Sequence, residues 1–129
     1  MTEEQTTEER REAGARYVRA MFGEDFLKRN LAGPARGEGP VADMSRLALE
    51  QCYGDIWTRP GLSPRDRSLL TLGILIGAGH PEEMANHVLG ALGNGVTEQE
   101  LAEAAVHAVP YVGFPAAGQA IKVILAATG

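Results

Sequence analysis

The sequence predicts an all-α fold. Helix start signals recur along the chain, and the clearest are Ser63-Pro64 followed by Asp66, and Thr97 followed by Glu100. Serine and threonine cap helix N-termini, and proline fits the first helical position because its missing N–H has no partner to lose there. No segment has the alternating pattern of a half-buried strand. With 129 residues, we predict a single domain over residues 1–129, built from about six helices.

The first predicted element is a helical extension within residues 1–24. Thr2 can act as its N-cap, and glutamates crowd its first turns, where the positive end of the helix dipole favours them. Apolar residues come only later in the segment, at Ala15, Val18, Ala20, Met21 and Phe22. We therefore expect an exposed or subunit-bridging helix.

A loop and a second helix are predicted next. Between Leu31 and Val41, five glycines and prolines are too many for a regular element. From about Ala42 to Trp57, apolar residues recur at mixed spacings of two to four, which is compatible with an amphipathic helix. Gly54 weakens that prediction locally.

The most apolar helix is predicted from Ser63 to about Gly79. Its large apolar residues cover nearly the whole circumference, so in a short soluble chain we expect burial on all sides, partly by another subunit. They are Leu69, Leu70, Leu72, Ile74, Leu75 and Ile76. Gly73 and Gly77 would allow a neighbouring helix to approach closely.

Three further helices complete the predicted fold. Pro81 opens the first, which Asn94-Gly95 closes with a left-handed cap. The capping box of Thr97 and Glu100 opens the second, which Pro110 limits. The last begins near Pro115 and runs to the C-terminus.

Composition excludes several classes of partner. The net charge is -5, the pI is about 5.2 and aromatic residues make up 5%, so we expect no nucleic-acid partner. The longest apolar run, residues 69–79, is far shorter than the roughly 20 residues that cross a bilayer, so we expect no membrane partner. Residues 2–12 are acidic and polar where a signal peptide is basic and then apolar. We therefore expect a cytoplasmic protein.

Cys52 is the single cysteine of the chain. One cysteine excludes both an intrachain disulfide and a Cys-x-x-Cys redox pair. Cys52 lies among core-type positions, and no basic neighbour is available to lower its pKa. We predict that it is a small buried hydrophobe.

Three arginines, Arg59, Arg65 and Arg67, lie within nine residues. Two of them fall in a predicted first helical turn, where the helix dipole disfavours cations. An anion bound there would explain them, because a carboxylate at that helix end would meet backbone N–H groups and a bidentate guanidinium together. The alternative is ordinary surface pairing of these arginines with Asp55 and Asp66.

The histidines offer two possible proton-transfer pairs. His87 lies four residues after Glu83, and His107 lies four residues after Glu103. At that spacing the carboxylate can orient the ring and raise its basicity. The alternative is a core histidine beside a solvated glutamate. A zinc site of His80, Glu83 and His87 matches no established ligand motif, so we predict no metal.

A run of linked motifs extends from residue 53 to residue 117. It comprises Tyr53-Gly54-Asp55-Ile56-Trp57, Arg65-Asp66-Arg67-Ser68-Leu69, Pro81-Glu82-Glu83 with His87, Gly90-Ala91-Leu92-Gly93-Asn94-Gly95, and Tyr111-Val112-Gly113-Phe114-Pro115. In this order and spacing the motifs resemble the carboxymuconolactone decarboxylase family, with residues 42–127 as the family core. The resemblance implies a small helical subunit that assembles into a homo-oligomeric ring, a trimer or hexamer.

The resemblance also indicates a branch of the family. A peroxide-reducing branch carries Cys-x-x-Cys at positions where this chain has His80 and Glu83, so we predict that the protein is not a cysteine-dependent peroxidase. The other branch converts 4-carboxymuconolactone, an intermediate of protocatechuate degradation, to 3-oxoadipate enol-lactone and CO2 without a cofactor. We predict a decarboxylase of a small anionic lactone that needs no cofactor.

By this resemblance, each candidate residue receives a role. His87 donates a proton, Glu83 orients its ring, and Arg67 or Arg65 binds the substrate carboxylate or the developing oxyanion. The other substrate-binding candidates are Trp57, Arg59, His80 and His107, with Tyr111 and Phe114 as weaker ones.

Two departures from the family pattern leave the substrate open. His80-Pro81 stands where decarboxylases often carry an arginine, and the segment from Asn30 to Val41 lacks an expected Asn-Asp-Phe-like stretch. The alternatives are an isomerase, cyclase or dehydratase of natural-product metabolism, or a non-catalytic ligand-binding or assembly protein.

Overall fold

The all-α prediction is confirmed across residues 5–129, the part of the chain that the computed structural model describes. Seven α-helices are present there, rather than about six, because a short helix follows Gly23. They are α1 Thr7–Phe22, α2 Glu24–Leu27, α3 Pro40–Leu47, α4 Pro64–Ala78, α5 Pro81–Gly93, α6 Glu98–Val112 and α7 Phe114–Thr128. None of these helices is long and apolar enough to cross a bilayer.

Three less regular helical segments lie between α2 and α4. The short α2 continues as a π-helical segment over Lys28–Ala32, and a 3-10 turn covers Pro34–Arg36. The third segment is a π-helix over Ala48–Ile56 that continues α3. The predicted loop is therefore shorter than residues 31–41, and the helix after it begins at Pro40, since proline fits a first helical turn.

The chain divides into two compact units, Met1–Gly61 and Leu62–Gly129. In the first unit, α1 packs along the π-helix that follows α3. The predicted cap Thr2 lies outside the described residues, and the N-cap of α1 is Thr6, whose Oγ1 accepts a hydrogen bond from Glu9 N at 3.1 Å. The core of this unit is formed by Val18, Met21, Leu27, Leu49, Tyr53 and Trp57.

Two glycines let these helices approach each other at backbone distance. A Cβ atom added to Gly14 would lie 1.8 Å from Leu49 O, and one added to Gly54 would lie 2.4 Å from Arg10 O. An ion pair flanks the contact, in which Asp55 accepts two hydrogen bonds from Arg10, at 2.6 and 2.9 Å. Gly54, which weakens the helix prediction locally, is thus a packing residue.

The π-helix also explains why the prediction for Cys52 is wrong. Trp57 N donates to Cys52 O at 2.9 Å, five residues back instead of four. Because the wider turn changes which residues share a face, Cys52 is exposed, not buried. Partial desolvation by neighbouring atoms nevertheless raises the pKa of its thiol.

The second unit packs α4, α5, α6 and α7 around one apolar core. Both predicted N-terminal caps are present, since Ser63 Oγ accepts from Asp66 N at 3.1 Å, and Thr97 and Glu100 form both bonds of a capping box. In the predicted cap after α5, Gly95 has a φ of +90°, and α4 ends before Gly79, whose φ is +75°. The buried core residues are Leu72, Ile76, Met84, Val88, Ala91, Val96, Leu101, Ala105, Ala120 and Ile124.

One face of α4 is exposed in the single chain, although burial on all sides was predicted. Leu70 and Ile74 are 55% and 61% exposed, so their burial by another subunit stays a prediction. A Cβ atom added to Gly73 would meet nothing within 4 Å, and one added to Gly77 would meet Val112 Cγ1 at 3.8 Å. The close helix contact expected at Gly73 is therefore absent from the described chain.

Pro110 does not end α6, contrary to the prediction. The helix continues to Val112, and Gly113 N donates to Val109 O at 2.9 Å. Proline so near a helix end removes only one intrahelical hydrogen bond. The break comes instead at Gly113, whose φ of +88° disfavours any other residue.

Candidate functional site

The second unit holds most of the predicted site residues. Trp57 and Arg59 belong to the first unit, where Trp57 is buried and its ring centroid lies 5.8 Å from that of Tyr17 and 5.6 Å from that of Tyr53. Their roles in substrate binding stay predictions. The second unit holds Arg65, Arg67, His80, Glu83, His87 and His107.

His87 is a buried histidine in the middle of α5. Its neighbours Met84 and Val88 are fully buried, and His87 itself is 7% exposed. Burial lowers the pKa of the imidazole, while the nearby Glu83 carboxylate acts in the opposite direction. Because the ordinary pKa is about 6.5, the ring is neutral at pH 7 in the absence of a ligand.

Glu83 lies next to this buried ring and is itself exposed to solvent. Its Oε2 lies 3.8 Å from His87 Nε2, and its side chain is 59% exposed. Asn86 Nδ2 lies 3.4 Å from the other carboxylate oxygen. Both sequence interpretations of His87 are therefore partly correct, since it is a core histidine that also faces a carboxylate one turn away.

Arg65 and Arg67 occupy the first turns of α4. Both are half-buried, and Arg65 forms an ion pair with Glu100 of α6. Glu100 Oε1 also accepts from Thr97 N at 3.0 Å. Sequence reasoning identified Glu100 only as a capping residue, because its partner lies 35 positions away.

The predicted alternative partner of these arginines, Asp55, is engaged elsewhere. Arg10 binds Asp55 with two hydrogen bonds, which lower the pKa of the carboxyl. The backbone N–H of Asp66 donates to the N-cap Ser63. Asp55 thus has a cation partner in α1, and surface pairing of Arg59, Arg65 and Arg67 with Asp55 and Asp66 stays a prediction.

His107 lies on α6, exposed at a cleft of 590 Å³. Its ring centroid is 5.5 Å from that of Tyr111, and within the described residues no ion pair joins it to Glu103. The cleft is lined by Leu69, Gln99, Glu100, Glu103, Ala104 and His107. Glu103 and His107 thus share a surface without forming the predicted pair.

His80 is exposed at the N-cap of α5. Its carbonyl accepts from Met84 N at 2.9 Å. Across residues 5–129, no three His, Cys, Asp or Glu side chains are grouped so that they could hold a metal ion. The alternative zinc site of His80, Glu83 and His87 therefore has no structural support.

The lowered pKa of His87 predicts a pH dependence of stability. As the pH falls below about 7, the unfolded chain binds a proton at His87 before the folded chain does, so the free energy of unfolding decreases until the folded pKa is passed. Urea unfolding between pH 7.5 and 5 measures this slope. His87→Gln is expected to flatten it.

The exposed His107 provides the control for that measurement. His107→Gln is expected to keep the wild-type slope, because this variant leaves the buried His87 in place. An unchanged slope in the His87 variant would contradict the assignment of this pH dependence to His87.

Comparison with known proteins identifies a common family. A sequence model described as the carboxymuconolactone decarboxylase family matches residues 42–126, which include all eight predicted site residues. The chain is 36% identical over 110 residues to nitrosuccinic acid decarboxylase npaB of Metarhizium robertsii, covering 85% of this chain and 75% of that protein. It is 35% identical over 79 residues to a 4-carboxymuconolactone decarboxylase of Acinetobacter baylyi, covering 61% of this chain and 59% of that protein.

Proposed function

The chain belongs to the carboxymuconolactone decarboxylase family, and from this premise we propose that it is a decarboxylase of a small anionic substrate that works without a cofactor. The proposed substrate is 4-carboxymuconolactone, which would yield 3-oxoadipate enol-lactone and CO2. The observation that carries the proposal is the buried, neutral His87 facing Glu83 on α5.

The proposed reaction makes three demands on the protein. The bond between the ring carbon and its carboxylate breaks, and the electron pair moves through the ring double bond onto the lactone carbonyl oxygen as CO2 leaves. A ring carbon then takes up one proton, which gives the enol-lactone. The protein must hold an anion, stabilise the developing oxyanion and deliver that proton.

His87 can deliver the proton once an anionic substrate is bound. Desolvation disfavours the imidazolium in the free protein. A carboxylate placed near the ring adds a second negative charge to that of Glu83 and raises the pKa, so the ring takes a proton when the substrate binds. The proton then passes to carbon as the charge of the departing carboxylate disappears with CO2.

Arg67 is the proposed partner of the carboxylate that the substrate retains. The guanidinium of Arg65 forms an ion pair with Glu100 of α6. Arg67 is half-buried one turn into α4, where the dipole of the helix also favours an anion. A guanidinium can bind a carboxylate with two parallel hydrogen bonds.

Nitrosuccinate is the second candidate substrate. The alignment with the nitrosuccinic acid decarboxylase is longer than residues 42–126, and since only three residues follow that segment, it also covers residues before position 42. Nitrosuccinate and 4-carboxymuconolactone each carry two carboxyl groups and an electron acceptor. In nitrosuccinate the nitro group would receive the electron pair, and the same arginine and histidine would serve.

The proposed enzyme works as a homo-oligomer. Support comes from large apolar side chains that face outward, since Tyr111 and Phe114 are 78% and 77% exposed, in addition to Leu70 and Ile74 on α4. Outward apolar residues of this size are typical of surfaces that bind another protein chain.

CO2 release and NMR of the product, measured with each of the two substrates, test the proposed function. The Arg67→Ala variant is expected to raise KM by about 10- to 100-fold, because a hydrogen bond to a charged group contributes about 1.5–3 kcal/mol. Lys122 is exposed on α7, and Lys122→Ala is expected to leave KM unchanged.

The other outcomes separate the alternatives. Product without CO2 would indicate an isomerase, cyclase or dehydratase. Binding without turnover of either compound would indicate a ligand-binding protein. An unchanged KM in the Arg67→Ala variant would remove Arg67 from the site.

A further inference from the structure

Asn94, the residue that follows α5, connects that helix to the start of α4. Its Nδ2 donates to Ser68 Oγ at 2.9 Å and lies 3.3 Å from Pro64 O. Ser68 is fully buried, and a buried hydroxyl without its partner would be costly. The side chain of Asn94 thus holds two points on the first turns of α4.

Arg67 lies between these two points. Pro64 is three residues before it, and Ser68 directly follows it. His87 lies on α5 seven residues before Asn94, which is about 10 Å along a helix axis. The Asn94 side chain therefore links the first turns of α4, which include Arg67, to α5, which includes His87.

A second side-chain contact with the start of α4 comes from the same region of the chain. Glu100, in the first turn of α6, pairs with Arg65 and completes the capping box with Thr97. Asn94 and Glu100 lie at the two ends of the connection between α5 and α6, and both bind side chains in the first turns of α4. The position of those turns is thus set by side chains outside α4.

We propose that Asn94 is a positioning residue, which holds Arg67 where it can bind the retained carboxylate of the substrate. This inference rests on the proposed function, since Arg67 has its binding role there. A displacement of about 1 Å in a binding group can reduce a reaction rate about 100-fold. Asn94 itself needs no contact with the substrate.

The first test reports on Arg67 without any ligand. The Nε atom of Arg67 is buried, so its Nε–H group is suited to observation by ¹⁵N NMR, and the signal is assigned by its loss in Arg67→Lys. Asn94→Ala and Ser68→Ala are each expected to shift this signal and to speed its hydrogen exchange. An unmoved Arg67 signal in folded Asn94→Ala overturns the inference.

Two further variants serve as a milder substitution and as a control for this test. Asn94→Asp keeps a bond to Ser68, whose hydroxyl can donate to the carboxylate, but loses the donor to Pro64 O, so a smaller shift is expected if Asn94→Ala does not fold. Asn30 is exposed and donates to Phe26 O within its own helical segment. Asn30→Ala is expected to leave the Arg67 signal unchanged.

A double-mutant cycle with succinate as a non-reacting dicarboxylate provides the second test. Asn94→Ala is expected to weaken succinate binding about 10-fold when Arg67 is present, and to have no further effect in the Arg67→Ala background. Equal weakening in both backgrounds would indicate a merely structural role and would overturn the inference.

The two proposals can fail separately. If the wild-type protein decarboxylates neither substrate but Asn94→Ala still moves the Arg67 signal, the proposed function fails and the positioning role stands. If turnover is found and the Arg67 signal does not respond to Asn94→Ala, the proposed function stands and the positioning role fails.

Discussion

Replacing His87 with glutamine is expected to lower kcat for decarboxylation by about 100- to 10,000-fold, the range that positioned general acids contribute. Glutamine is close to histidine in size and polarity, but it cannot supply a proton to carbon. The buried ring on α5 faces Glu83, so the change removes the proposed donor while keeping a polar group in its place. Initial rates of CO2 release measure the effect.

Two neighbouring glutamates provide the matched control. Glu83→Gln is expected to lower kcat less than His87→Gln does, because it removes only the group that orients the ring and raises its pKa. Glu82 lies in the same turn but lines a groove with Ala85 and Val123 that does not include His87, so Glu82→Gln is expected to leave kcat unchanged. Undiminished turnover in His87→Gln would transfer the proton donation to His80 or His107.

The Gly14→Ala variant is expected to lose about 3 kcal/mol or more of its free energy of unfolding, because overpacking costs most where neighbours cannot move aside. The added Cβ atom would lie 1.8 Å from Leu49 O. That neighbour is backbone, so α1 and the π-helix would have to separate, which also loosens the ion pair of Arg10 with Asp55. Urea unfolding measures the loss.

Gly73→Ala is the control for this prediction. Gly73 lies inside α4 with nothing within 4 Å of an added Cβ. Alanine is expected to stabilise that helix by about 0.5–1 kcal/mol, since it restricts the unfolded chain more than glycine does. A Gly14→Ala variant as stable as the wild type would show that the two helices do not meet at this glycine.

The helix ends were predictable because their determinants are local. The Ser63 cap, the Thr97 and Glu100 capping box and the glycines after α4 and α5 each act within about one helical turn. Pro110 and Cys52 were predicted wrongly for the same reason. Local rules place proline outside helices and assume 3.6 residues per turn, and neither assumption holds where α6 includes Pro110 and where α3 widens into a π-helix.

In the candidate site, too, some features could be predicted from local sequence, and others depend on the tertiary structure. Glu83 and His87 lie four residues apart on one helix, so the sequence alone determined that they could pair, and the linked motifs around them determined the family. Tertiary structure alone decided that His87 is buried with a lowered pKa, that Arg65 pairs with Glu100, and that Asn94 contacts the start of α4. Burial and contacts between distant segments depend on how helices pack, and no spacing along the chain encodes the solvent exposure or the partner of a side chain.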